Sequence, residues 1–251
     1  MNKISEIFKR GKALIPFITC GDPNLDATAE IIKSMCAGGA DIIGLRIPFS
    51  DPVAESAYMQ SAACRALSNG VTTDTIFDFV SRIRSEIQQP IIIISYANSV
   101  FSYGTQRFID KCAQTGIEGL ILLDVPLEER QEFASLCRPS KIALIPTAAL
   151  IDKQRIEKIC ETKESFIYFS PARSCAKNLQ TFKEIISELP SQMRMPVAAR
   201  LDLSIPETDS EIKYADGVIL ETEISRLIDE YSFKAARPIG KLLAEIKTQI
   251  K

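Results

Sequence analysis

Carboxylates and guanidinium groups stand just where apolar runs give way to polar loops: Glu55, Asp124, Asp202 and Glu221, with Arg46, Arg173 and Arg200. Histidine is absent, and the seven cysteines (Cys20, Cys36, Cys64, Cys112, Cys137, Cys160 and Cys175) form no CxxC pair. These facts set aside a zinc site, a haem, a Ser-His-Asp or Cys-His site and a histidine acid–base. What remains is proton transfer between carboxylates, with arginines to hold an anionic group. Cys20 has no base near it in sequence and reads as a small buried thiol. Lys163, Lys177 and Lys213 fall in predicted loops or helix ends, away from positions where a Schiff-base lysine would sit.

The elements that must position these groups alternate along the whole chain. Apolar runs at 14–19, 42–45, 91–95, 119–123, 142–145, 166–169, 197–199 and 217–220 are unbroken, as in parallel strands covered on both faces. Amphipathic segments lie between them at 27–37, 73–87, 106–114, 128–136, 153–160, 179–189 and 205–214, and a last helix at 232–250 closes the series. Eight βα units in 251 residues predict an α/β fold, a (β/α)8 barrel forming one domain over 1–251. Ile4, Ile7 and Phe8 at helical spacing add a short N-terminal amphipathic helix, which does not read as a signal peptide. In such a barrel the site sits at the strand C-termini. Positions 44 and 46 share one side of a strand, so both face the barrel interior.

Composition narrows the partners. A formal net charge of -2 gives no footprint for nucleic acid or an anionic membrane, and no apolar run approaches a membrane span. Scattered reduced cysteines predict a cytoplasmic protein.

The stretch from Ala40 to Gln60, ADIIGLRIPFSDPVAESAYMQ, resembles the signature of the tryptophan synthase alpha subunit family, A-D-x-x-E-L-G-x-P-F-S-D-P-x-A-D-G-P-x-I-Q. Leu14–Pro23 is close to that family's first strand and loop, Tyr96–Phe101 matches its Y-A-N-x-x-F, and Leu123–Glu129 matches its D-V-P-x-E-E. The resemblance implies a TIM barrel that cleaves indole-3-glycerol phosphate with two carboxylates and no metal or cofactor. It also implies docking to a pyridoxal-phosphate-bearing beta subunit in an alpha-beta-beta-alpha complex.

Set on that pattern, Gly44 occupies the position of the first catalytic glutamate and Arg46 that of a glycine, while Glu55 stands for the second acid, one methylene longer. Ser56 and Ala57 replace a glycine and a proline, which predicts poor placement of Glu55. The family's phosphate loops also change. The sixth strand is followed by Ser170-Pro-Ala-Arg173 without glycine, the seventh by Arg200-Leu-Asp202, and the eighth by Glu221 and Thr222 in place of glycine and serine. An unpaired acid about 4 Å from a phosphate costs on the order of 4 kcal/mol at an effective dielectric of 20. The expectation is a pocket occupied by ion pairs among Arg46, Arg200, Arg173, Glu55, Asp202, Glu221 and Glu223. Pro48, Phe49, Ser50, Asp51, Pro52, Asn98 and Pro126 match the beta-facing loops and are intact, with Tyr96 and Asp124 near the same face.

Three functions follow from this pattern: an activating subunit that has lost cleavage, a carbon–carbon lyase using Glu55 and Asp124 on indole-3-glycerol phosphate or an unphosphorylated analogue, and a stand-alone ligand-binding barrel.

Overall fold

The computed structural model describes residues 3–53, 55–149, 152–170, 176–201 and 213–250, with only the backbone of 176–179. Parallel strands form one continuous sheet in the order β5-β4-β3-β2-β1-β9-β8-β7-β6. They are β1 (Ala13–Thr19), β2 (Ile43–Arg46), β3 (Ile91–Ser95), β4 (Ile117–Leu122), β5 (Ala143–Leu144), β6 (Thr147–Ala148), β7 (Ile167–Phe169), β8 (Val197–Arg200) and β9 (Gly217–Leu220).

The two edge strands, β5 and β6, are halves of one extended segment interrupted at Ile145-Pro146. Ile145 donates its N–H to Leu120 on one side, and Tyr168 donates to the Pro146 carbonyl on the other. The segment expected at 142–145 therefore closes the ring as two short strands, because proline has no N–H to continue the ladder. The eight expected barrel strands are all present on this reading.

The helices of the described residues are α1 (Lys3–Arg10), at the bottom of the barrel, and, around the outside, α2 (Leu25–Ala37), α3 (Ala57–Ser68), α4 (Thr73–Ile83), α5 (Ala97–Tyr103), α6 (Thr105–Gln114), α7 (Arg130–Cys137), α8 (Lys153–Glu161), α9 (Ala176–Glu188), α10 (Thr222–Tyr231) and α11 (Ala236–Gln249). Side-chain caps fix several starts: Asn24 accepts from Ala27 N, Ser56 from Met59 N, and Asp152 from Arg155 N. The expected helix at 205–214 lies largely outside the described residues. The helix expected over 73–87 stops at Ile83, and the one expected over 232–250 begins with a short 3-10 turn at Ser232–Lys234.

Strand alternation separates two cores. Ile15, Phe17, Ile92, Ile94, Ile121, Ala143, Ile145, Phe166, Tyr168, Ala198 and Ile219 fill the barrel interior. Leu14, Ile18, Ile43, Leu45, Ile91, Ile93 and Leu120 face the helices. The N-terminal helix belongs to the inner core: Ile4 is fully buried there, and the Phe8 ring lies 5.1 Å from that of Phe166. Helix α1 thus plugs the bottom of the barrel, leaving the opposite mouth for chemistry. No described helix is long and apolar enough to cross a membrane.

Candidate functional site

At the mouth, β2 ends in Arg46, whose side chain is only 4 % exposed. Its Nη1 donates to Glu55 Oε1 at 2.6 Å and its Nη2 to Glu221 Oε2 at 2.9 Å. Glu55 comes from the loop after β2, and Glu221 is the residue preceding α10. Each carboxylate also receives a phenol: Tyr96 Oη donates to Glu55 Oε1 at 2.8 Å and Tyr168 Oη to Glu221 Oε1 at 3.1 Å. Burial by itself disfavours the charged guanidinium, but Glu221 and Glu55 outweigh it, so Arg46 holds its proton more firmly than usual. Burial, then the neighbouring Glu55 charge, pushes the Tyr96 phenol up to about 12. Burial and Glu221 push Tyr168 up further.

The pleat directs this arrangement. Gly44 pairs with Phe17 across β1 and β2, and a Cβ built on Gly44 would lie 2.1 Å from Phe17 Cδ1. Gly44 therefore faces the interior, as its spacing from Arg46 predicts, and a buried aromatic ring fills the space a side chain there would need.

The placement of Glu55 corrects an expectation. The altered loop does not leave it loosely placed: its side chain is 4 % exposed, bonded to Arg46 and Tyr96. Gln60 also donates to its backbone carbonyl at 2.9 Å. Among the described residues, two of the expected ion pairs form, Arg46 with Glu55 and Arg46 with Glu221, without filling the mouth. A cavity of about 380 Å³ remains, lined among others by Glu55, Tyr96, Asp124, Tyr168, Ser170 and Arg200. Arg200, at the end of β8, is half-buried on that cavity, and Arg46 is the arginine that bridges the two glutamates. Arg173 and Asp202 lie outside the described residues.

Asp124 lines the cavity but also accepts from Ala97 N at 2.8 Å, which ties the start of α5 to the end of β4. Glu221 precedes the first turn of α10, yet its carboxylate turns into the barrel toward Arg46. Thr222 opens α10 and is half-buried, its hydroxyl 3.8 Å from the Met59 sulfur. Glu223 is buried in the same first turn.

Around the rim, Phe49 stacks on Tyr96 with ring centroids 4.9 Å apart. Ser50 donates to Asp51 at 2.5 Å, and both are exposed, as is Asn98. Pro48 and Phe49 line a second cleft with Asn98 and Asp74, while Pro52 stays half-exposed in the loop. Pro126 accepts from Glu129 N in a turn after β4.

Tyr168 and Phe17 were not singled out by sequence. Each sits inside an unbroken apolar run, and only its inward register, two residues before a mouth position, marks it. A further network ties fully buried Asp22 to Arg65 through two bonds, at 2.7 and 3.0 Å, and Arg65 onward to Asp229. Among the described residues no group of histidine, cysteine, aspartate and glutamate could hold a metal ion.

Comparison with known proteins agrees with the geometry. The family model described as tryptophan synthase alpha chain matches residues 5–250. A tryptophan synthase alpha chain from Petrotoga mobilis is 36 % identical, over 98 % of this chain and 96 % of that one. One from Caldanaerobacter subterraneus is 38 % identical over 89 % of each. The crystal structure of tryptophan synthase subunit alpha from Legionella pneumophila superposes with a TM-score of 0.88 at 27 % identity, covering 100 % of this chain and 98 % of that one. A chain of the tryptophan synthase complex from Pyrococcus furiosus gives 0.86 at 26 % identity, covering 95 % and 98 %. A curled parallel barrel, its mouth motifs in the family's order and a match along nearly its whole length together show that this chain belongs to the tryptophan synthase alpha chain family.

Proposed function

We propose that this chain is an alpha-type subunit kept for its partner. It docks on a pyridoxal-phosphate-bearing tryptophan synthase beta subunit in the cytoplasm and favours that subunit's active state. It does not itself cleave indole-3-glycerol phosphate. The observation that carries this reading is the Arg46 guanidinium, buried and bonded to both Glu55 and Glu221. A proton-transferring carboxylate must meet its substrate, and Glu55 meets Arg46 and Tyr96. The position of the other acid is Gly44, which has no proton to give. Each such group contributes about 10²–10⁴-fold to a reaction of this kind.

The partner face is Pro48, Phe49, Ser50, Asp51, Pro52, Asn98 and Pro126, with Val53 70 % exposed beside them. A Pyrococcus furiosus structure similar to this chain is described as an a2b2 complex with mutual activation, which supports an alpha-beta-beta-alpha assembly here. Activation requires only that this single-domain, cofactor-free subunit bind the partner's active state more tightly than its inactive one.

The remaining cavity favours a second reading, in which Glu55 and Asp124 act on an unphosphorylated analogue held by Arg200. Two assays with the cognate beta subunit decide. One supplies indole-3-glycerol phosphate and detects indole; the other supplies indole and serine and measures tryptophan. Absent cleavage with many-fold stimulation of tryptophan formation is the expected result, and robust cleavage refutes the reading.

A further inference from the structure

We propose that Arg46 and Tyr96 are positioning residues that hold the partner-facing loop, at its described residues 47–53 and 55–56, in one shape from inside the barrel. The chain then stimulates its partner with the mouth empty. The inference rests on the reading above that this loop faces a beta subunit.

The loop is tied down at successive points along its inner side. The Phe49 ring stacks on Tyr96. The Tyr96 hydroxyl accepts from Val53 N at 3.1 Å and lies 3.3 Å from the Val53 carbonyl oxygen. It also donates to Glu55, the carboxylate that Arg46 grips. Beyond Glu55, the Gln60 amide and the Ser56 cap fix the entry into α3. The guanidinium is anchored on its far side by Glu221, itself held by Tyr168. Arg46 at the end of β2 and Tyr96 after β3 thus hold the loop directly, while Glu221 and Tyr168 act on it through Arg46.

The outer side carries the opposite character: Asp51 is exposed, Val53 is 70 % exposed and Tyr58 40 % exposed. The anchors lie inside and an accessible, partly apolar face lies outside. A surface loop already held in its bound shape loses less conformational freedom when a partner docks. A ligand can shift a loop only by contacting its two states differently. Here the chain's own side chains make those contacts, so a ligand has nothing left to order.

Two measurements on the full chain test this. The Tyr96→Phe variant keeps the ring that stacks on Phe49 and loses only the hydroxyl; Arg46→Met removes the grip on Glu55. Amide hydrogen exchange across 47–56 in the isolated chain reads the clasp. Titration of the beta subunit, supplied with indole and serine, reads its use. In the parent the Val53 amide is protected. In Tyr96→Phe it exchanges on the order of tenfold faster, and half-maximal stimulation needs a several-fold higher concentration of the chain. Indole-3-glycerol phosphate leaves the parent's stimulation unchanged.

Unchanged exchange in Tyr96→Phe overturns the clasp. A loosened loop with unchanged stimulation overturns its role in partnership. A several-fold rise in parent stimulation on adding indole-3-glycerol phosphate overturns the independence from ligand. If the parent gives no stimulation at any concentration, the proposed function fails, while the exchange difference still reports the clasp.

Discussion

Replacing Arg46 by methionine leaves a side chain of similar reach and removes the charge that two buried carboxylates share. Glu55 and Glu221 have side chains 4 % and 2 % exposed, and their contacts to the guanidinium are 2.6 and 2.9 Å. Removing one member of a buried charge cluster costs about 3–5 kcal/mol, because the remaining charges stay desolvated. For a chain of this size about 2–4 °C accompanies each kcal/mol, so the melting temperature should fall by roughly 6–20 °C. Urea unfolding of parent and variant by circular dichroism measures the difference, with Arg226→Met as control. Arg226 pairs with Glu230 at 47 % and 50 % exposure, and such i,i+4 surface pairs contribute about 0.3–0.5 kcal/mol. The combination Arg46→Met, Glu55→Gln and Glu221→Gln, which leaves no charge in this cluster, should recover much of the loss, a non-additivity diagnostic of one coupled unit. An Arg46→Met chain within about 1 kcal/mol of the parent would mean both carboxylates reach water, and the description of a buried bridge would be wrong.

Gly44→Glu, which puts a carboxylate where the family pattern carries a glutamate, should destabilise the chain by about 1–3 kcal/mol or more through overpacking. Its Cβ meets the Phe17 ring at 2.1 Å. Cleavage should stay absent, and calorimetry with an indole-release assay reads both. In alkaline solution Tyr96 should ionise only near pH 12, and Tyr168 later still. Because these pKa values are raised above that of an unfolded tyrosine, about 10, their contribution to stability is complete below pH 10 and disappears as pH rises through the folded value. Phenolate absorbance followed beside far-ultraviolet circular dichroism checks this, and early ionisation of every tyrosine in the folded chain refutes it. Among the described cysteines, Cys64 is exposed while Cys20, Cys112, Cys137 and Cys160 are buried. A thiol reagent should therefore label Cys64 first and the buried four only on unfolding, as peptide mapping would show; labelling of Cys20 in the folded chain would contradict the packing.

Most of the ring is legible in sequence because a parallel strand buried on both faces leaves an unbroken apolar run, as at 91–95 and 217–220, where expected and observed bounds agree. Helix α3 is less visible. Its buried face is made of Met59, Ala62, Ala63 and Ala66, and alanines barely raise a helical hydrophobic period. Helix α10 begins at Thr222, where acidic residues suggest only a loop; Glu221 turns inward to Arg46, a partner 175 residues away that no local pattern reveals. Local pattern therefore reveals that positions 44 and 46 point into the barrel, but not which acid Arg46 chooses. For the same reason Tyr168 is hidden: within Phe166-Ile-Tyr-Phe169 it reads as core until the hydroxyl is seen to meet Glu221.

The contact between Gly44 and Phe17, together with the shared guanidinium, also bears on ancestry. Matching the family pattern at the mouth requires several changes, and the first steps at 44, 46 and 221 each lower the stability of the fold. A glutamate at 44 collides with Phe17, a glycine at 46 strands two acids, and a glycine at 221 takes away one of the two carboxylates that hold Arg46. Selection acting on one mutation at a time meets a less stable intermediate on each route that begins at one of these three positions. If the proposed function holds, the charge cluster works as a ratchet: descendants of this chain can refine a partnership more readily than they can gain a cleavage site.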